Sequence, residues 1–311
     1  MKTLPFFPQK IIDFNLARTK TLVLNVKNIY NTYIMKKIAL IIVTIALVAI
    51  MAVTFVACST ATVQGQLKDV WRPYEKYVYT VDDDSKTTNG TYTVEVIHNN
   101  EPNVTIGTVT LEGVGKGIIV NGTLTYDNTV YTTACYVQLS SGGSFLVPKA
   151  SYRKQVVDGV VTLELGGKYD GANYTYFGTE NGNNVEGSIG LKSPYYDNNE
   201  FHQLLRGVSS MSTGFSFSFN VPAVVGEANL ASLTASVVGT ENIIYADNSY
   251  ECFKVSLSRS TKVQGKAHTL FYTVNPVDVN GWKLPYVLVK FVEPTATGEV
   301  TYTLNSISLE K

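Results

Sequence analysis

The chain has 311 residues with 25 Lys+Arg against 25 Asp+Glu, a formal net charge of zero, but from Ser59 onward 18 basic residues face 24 acidic ones, a net charge of −6. An acidic body argues against nucleic-acid binding, which needs a basic face to displace counterions from phosphate, and against electrostatic attachment to anionic lipid. Charge is sparse at 16%, while 20 Tyr and 24 Gly stand beside many Thr, Asn and Val, a composition of strands and turns rather than of long helices.

Residues 1–34 precede a start that is already complete at Met35, and they read as an upstream extension outside the fold, not translated or serving as a long n-region. Met35-Lys36-Lys37 followed by the uncharged run Ile38 to Ala57 gives residues 35–57 the parts of a secretory signal peptide. Its exit, Phe55-Val56-Ala57-Cys58, resembles the bacterial lipobox, with Phe where Leu is usual. The resemblance implies cleavage before Cys58 and a diacylglycerol on its thiol. The rival reading is an uncleaved helix, because the run approaches the roughly 20 residues that span a bilayer, but it gives no reason for a cysteine after a small residue at the run's end. Both readings keep Lys36-Lys37 inside and the rest of the chain outside the cytoplasm. The expected location is the outer face of the cytoplasmic membrane, or the outer membrane where a cell has one.

Residues 58–68 read as the acylated cysteine and a flexible tether, and 69–311 as a single β domain. From Trp71 onward short apolar or alternating runs are separated by turn dipeptides, the pattern of an antiparallel protein. Asn121-Gly122, Asp127-Asn128, Ser141-Gly142-Gly143, Asp158-Gly159, Asp170-Gly171, Asn181-Gly182, Asn280-Gly281 and Thr295 to Gly298 are the turn signals; Asn121-Gly122 and Asp158-Gly159 have the two-residue form that tight hairpins favour. Phe215-Ser216-Phe217-Ser218-Phe219 alternates aromatic with hydroxyl, so one face packs and the other meets water. Tyr286 to Val292 is apolar on both sides and reads as a central strand covered twice.

One segment breaks the pattern. In 197–208, Phe201, Leu204, Leu205 and Val208 recur at helical spacing, Asp197 with Glu200 fits a capping box, and Gly207 fits the stop. A lone amphipathic helix here reads as a plug or lid. Gly113-Val114-Gly115-Lys116-Gly117 places three glycines on one side of an expected strand, first a bend in a curved sheet and second a floor a ligand could approach.

Local motifs for chemistry are missing. No nucleophile elbow, phosphate-cradling loop or Cys/His signature is present, so no catalytic residue is assigned. His98 in an expected turn, His202 on the helix and His268 at a strand start lie in unrelated contexts, so no metal site and no cofactor is assigned. Asp82-Asp83-Asp84-Ser85-Lys86 lacks the spacing and terminal Glu of a calcium loop and reads as solvated. Cys135 shares a face with Val137 and Leu139, whereas Cys252 lies opposite Phe253, Val255 and Leu257, so a bridge and two separate thiols both stay open. Trp71, Trp282, Tyr174-Thr175-Tyr176-Phe177 and Tyr195-Tyr196 read first as packing and second as a stacking platform.

The last third of the chain, in Asn248 to Val255, His268 to Thr273, Leu284 to Val289 and Gly298 to Leu304, with Tyr196-Asp197-Asn198-Asn199 and Leu204-Leu205-Arg206 upstream, resembles the closing strands of an uncharacterised family of bacterial envelope proteins. That family is similar in outline to the LolA/LolB lipoprotein carriers. The resemblance implies a curved antiparallel sheet wrapped partly around a short helix, and no particular activity.

The expectation is therefore an all-β domain, a half-barrel or open barrel with one short plugging helix, fastened to a membrane through Cys58. Its leading function is to bind a lipid or other hydrophobic or amphipathic ligand on the concave face, with Phe201, Leu204, Leu205, Gly113, Gly115 and Gly117 as candidate contacts. The alternative is a non-catalytic envelope scaffold or adhesion module for a protein or glycan, and a hydrolase with dispersed carboxylates comes third.

Overall fold

The computed structural model describes residues 70–310 apart from 86–88, 140–145, 198–200, 209–210, 225–227, 260–266 and 296–297. The extension, the signal, Cys58, the tether, the Ser141-Gly142-Gly143 turn and Glu200 lie outside the described residues. Among the described residues no helix is long and apolar enough to cross a membrane.

The strands are β1 (Tyr74–Asp83), β2 (Gly90–Asn99), β3 (Val104–Ile106), β4 (Val109–Leu111), β5 (Gly117–Tyr126), β6 (Thr129–Leu139), β7 (Leu146–Val157), β8 (Val160–Tyr169), β9 (Asn173–Glu180) and β10 (Asn183–Gly190). A one-turn helix α1 (Phe201–Leu204) runs into a 3-10 turn (Leu205–Gly207). Then come β11 (Ser216–Ala223), β12 (Asn229–Tyr245), β13 (Asn248–Arg259), β14 (His268–Thr273), β15 (Val277–Val279), β16 (Trp282–Leu284), β17 (Leu288–Pro294) and β18 (Glu299–Ser308).

Fourteen of these form one antiparallel sheet in the order β10-β9-β8-β7-β6-β5-β2-β1-β18-β17-β14-β13-β12-β11. The chain starts at the middle, works outward to β10, crosses to the opposite edge at β11 and returns to pair β18 with β1. The crossing closes the figure: Tyr195 bridges Asn220 of β11, with Tyr196 N–H donating to the Asn220 carbonyl at 3.0 Å and Asn220 N–H to the Pro194 carbonyl at 2.9 Å. The expected curved sheet is a nearly closed barrel, and α1 lies on the crossing segment.

The turns explain most of the register. Asp158-Gly159, Asn181-Gly182 and Asn280-Gly281 each hold two consecutive positive φ angles (51° and 78°, 50° and 78°, 52° and 82°), the backbone that a two-residue hairpin matched to strand twist requires. Asn121-Gly122 is a correction: both residues sit inside β5, where Gly122 pairs with Val94 on one side and Thr133 on the other. A strand laddered on both edges satisfies its backbone better than an early turn does. A second correction concerns 112–116, which lies outside any strand, in the link between β4 and β5. His98 stands on β2, not in a turn, and the strand expected from Tyr286 begins at Leu288, because Tyr286 has a φ of +47°. The helical stretch is shorter than its periodicity implies, and Asp197 accepts a 2.7 Å bond from the Tyr169 hydroxyl.

The main core is formed by inward residues such as Tyr77, Tyr79, Val94, Val120, Cys135, Val137, Phe219, Leu233 and Val255, with Phe201, Leu205 and Val208 packed among them. A second cluster lies on the outer face, where the β3–β4 hairpin lays Val104, Ile106 and Val109 over Ala134, Tyr136, Ala150 and Tyr152. Cys135 and Cys252 are both buried and not joined in a disulfide, which favours separate thiols; Cys252 keeps to the face of β13 opposite Phe253, Val255 and Leu257, as its alternation implies, yet is covered there. Burial pushes the Cys252 thiol up to about 12.

Candidate functional site

Alternation along antiparallel strands sends every second side chain inward, and at one end of the barrel the inward residues line up across six strands. Tyr92 faces Leu124, Leu124 faces Tyr131, Tyr131 faces Gln155, Gln155 faces Leu163, and Leu163 faces Glu180. The next row inward runs Val94, Gly122, Thr133, Arg153, Leu165 and Gly178. Thr133, a small residue in this row, lies where the hollows at this end of the barrel meet, while a side chain on Gly178 would run into the Glu164 carbonyl, so its bareness serves strand packing.

Those hollows form a mouth in two parts that share Tyr131 and Thr133. One hollow of about 240 Å³ is lined by Tyr92, Leu124, His202, Phe291, Glu293 and Tyr302. The other, of about 380 Å³, is bordered by Arg153, Gln155, Leu163 and Glu180. The first has an aromatic wall: Phe291 stacks on Tyr302 with centroids 3.9 Å apart, and Tyr92 meets both edge-on at 6.2 and 5.6 Å. The second is bordered by several polar side chains, and the Gln155 amide donates to the Tyr131 hydroxyl at 3.0 Å. Polar and apolar groups therefore border both parts.

Groups that titrate border the aromatic part. The Tyr302 hydroxyl donates to Glu293 Oε2 at 3.3 Å, and burial, reinforced by that carboxylate, holds its pKa above the ordinary phenol value. Tyr126 is pushed up to about 12, chiefly by burial and then by Asp83 and Glu293. Phenols held this way stay neutral donors across the physiological range.

Behind the mouth, side chains of the described residues pack the barrel. His202 of α1 looks into the hollow, its ring stacked between Phe201 (4.1 Å) and Phe291 (5.1 Å), while its carbonyl accepts a 2.6 Å bond from the Tyr272 hydroxyl. Gln203 donates to the Tyr79 hydroxyl at 3.1 Å, and Tyr79 donates to the Leu288 carbonyl at 2.9 Å. Arg206, fully buried, donates to Glu75 Oε2 and to the Tyr77 hydroxyl, each at 2.7 Å, and Tyr77 donates to Glu75 at 2.5 Å. Burial alone would push the Arg206 guanidinium down, but Glu75 more than offsets it and keeps the charge in place. The space under Leu205, Val208 and Met211 is only about 10 Å³, too small for more than a water molecule.

The sequence candidates divide accordingly. Phe201 and Leu205 are core residues that fix the helix, and neither lines the mouth; the Leu204 side chain lies outside the described residues. Gly113 is in an exposed link with φ +65°, while a side chain on Gly117 would meet the Val137 carbonyl at 2.3 Å and the Tyr136 ring at 2.7 Å, so its bareness serves packing. Trp71 is buried, and Trp282 is exposed beneath the Arg72 guanidinium, 4.4 Å from the ring. The reading that left the histidines in unrelated contexts missed a grouping made by the fold: His202, His268 and Glu293 bring their ligand atoms within 4.8 Å of one another. No spacing in the sequence could reveal it, because helix and strands meet only in three dimensions.

Comparison with known proteins adds the family. No curated protein matches the chain. A solved structure of a beta-barrel-like protein with a domain of unknown function, DUF1849, from Brucella abortus is similar with a TM-score of 0.47 and 10% identity, over 78% of this chain and 100% of that one. The model of the family described as "Protein of unknown function (DUF3108)" matches residues 77–305, and the chain belongs to that family.

Proposed function

We propose that the protein is an exported, lipid-anchored binder of an amphipathic small molecule, held in the mouth of the barrel rather than in its interior. The observation that carries this reading is the mouth itself: an aromatic wall of Tyr92, Phe291 and Tyr302 beside a polar floor with Arg153, Gln155 and Glu180. Ligand sites pair apolar lining with a few placed polar groups in volumes of several hundred Å³. Side chains packed behind the mouth among the described residues favour a ligand lying across the rim over a fully engulfed acyl chain. The signal and Cys58 supply the anchor, which puts the mouth on the extracytoplasmic side.

The test uses protein purified from membranes. Solvent extraction followed by mass spectrometry should recover a bound amphiphile, an environment-sensitive apolar dye should bind the emptied protein, and Thr133→Trp, which fills the shared wall, should weaken dye binding at least tenfold while the thermal transition persists. A clean extract with no dye binding would overturn the binding reading. An unacylated Cys58 in the same sample would overturn the anchor and leave the mouth intact.

A further inference from the structure

We propose that His202, His268 and Glu293 form a divalent transition-metal site, suited to zinc, at the rim of the mouth. The site shares His202 and Glu293 with the aromatic hollow, but its chemistry is that of an ion and does not need an amphiphile to be bound there.

Two imidazoles and one carboxylate are the donor set of sites that bind zinc and keep a coordination position open. Glu293 Oε1 lies 3.9 Å from His202 Nε2 and 3.8 Å from His268 Nδ1. Metal–ligand bonds of about 2.0–2.2 Å at tetrahedral angles put donor atoms roughly 3.3–3.5 Å apart, and with all three donors already within 4.8 Å of one another closure on an ion asks for side-chain movements of up to about 1 Å. All three side chains are partly buried, with 13%, 24% and 30% exposure, so an ion would be sheltered yet reachable.

The fold also positions each donor, and two of them, His202 and Glu293, are held by neighbouring side chains or backbone. The ring of His202 is clamped between Phe201 and Phe291, and the helix carbonyl beneath it is tied to Tyr272. His268 begins β14 beside β17, where Thr269 pairs with Val292, so it stands next to Glu293 by register. Glu293 uses Oε2 to accept from Tyr302, which leaves Oε1 directed at both histidines. Because His202 and Glu293 line the aromatic hollow, the fourth position opens toward the mouth, where a donor atom of a bound molecule or a water would complete it.

The test is titration of metal-stripped protein with zinc chloride by calorimetry, and with cobalt(II) by visible absorption. The expected result is one ion per chain, with tetrahedral cobalt bands, and affinity at least a hundredfold lower in Glu293→Gln and in His268→Ala; Asp278→Asn, a remote surface carboxylate, should bind as the parent does. Circular dichroism checks each variant's fold, and the near-isosteric Glu293→Gln carries the test if His268→Ala unfolds. Absence of stoichiometric binding, or binding indifferent to Glu293→Gln, would overturn the site. Dye binding at the mouth in the same samples separates this failure from failure of the amphiphile reading.

Discussion

Arg206 takes a full charge into the barrel and meets Glu75 there, 131 positions away in sequence and equally shut off from water. Removing one partner of such a pair strands the other, which costs about 3–5 kcal/mol, whereas replacing both with apolar groups of similar size is often close to neutral. Arg206→Met and Glu75→Gln are therefore each expected to lower unfolding free energy by about that amount, with Glu75→Met/Arg206→Met recovering much of the loss in urea denaturation. The pair fastens the plug to β1 and so fixes where His202 points. None of this is legible in the chain: Arg206 reads as one polar residue on a helix, and no local pattern ties it to Glu75. The same holds for His202, His268 and Glu293, which share no motif.

At the scale of elements, the strands and turns were far more legible, because backbone geometry acts over two to four residues. Asp158-Gly159 and Asn181-Gly182 turn where Asp, Asn and Gly tolerate positive φ. Asn121-Gly122 carries the same signal and runs straight through, since partners on both edges outweigh it. Ala246-Asp247 turns with φ of 47° and 61° but carries no glycine, so it offered no signal. The β3–β4 hairpin was likewise hidden by its shortness. It rests on the outer face through Val104, Ile106 and Val109, separate from the main core, so it should behave as a satellite. Ile106→Ala is expected to cost about 2–3 kcal/mol, near the low end for such truncations. Hydrogen exchange should show protection lost first in 104–111, with β5 and β6 changed little.

For the whole molecule, the decisive feature is where the two edges meet. Expecting an antiparallel β domain from composition and alternation was sound, and the half-barrel outline came from the resemblance of the closing strands to a known family; strand order needs long-range pairing, and the return of the chain through α1 to β11 could not be read from periodicity. The seam between β10 and β11 is thin. Asn220 holds it by its backbone pairing with Pro194 and Tyr196 and by its side-chain amide, which donates to the Lys192 carbonyl at 2.8 Å and the Pro194 carbonyl at 3.3 Å. Around it Tyr169, Tyr174, Ile189 and Tyr195 form a small cluster of their own. Asn220→Leu removes the amide bonds but leaves the strand, and at about 0.5–1.5 kcal/mol for each hydrogen bond lost the expected cost is on the order of 1–3 kcal/mol. The larger effect is on association: β11 is an edge of the sheet whose contacts here are with the crossing segment, and loosening them leaves that edge to template pairing with another chain. Sedimentation velocity should show concentration-dependent dimers for Asn220→Leu under conditions where the parent stays monomeric, with hydrogen exchange rising in β10 and β11 ahead of β1 and β18. A variant that loses stability uniformly across the sheet, without dimers, would mean that the seam is not the weak point and that the barrel is held by the arc of paired strands alone.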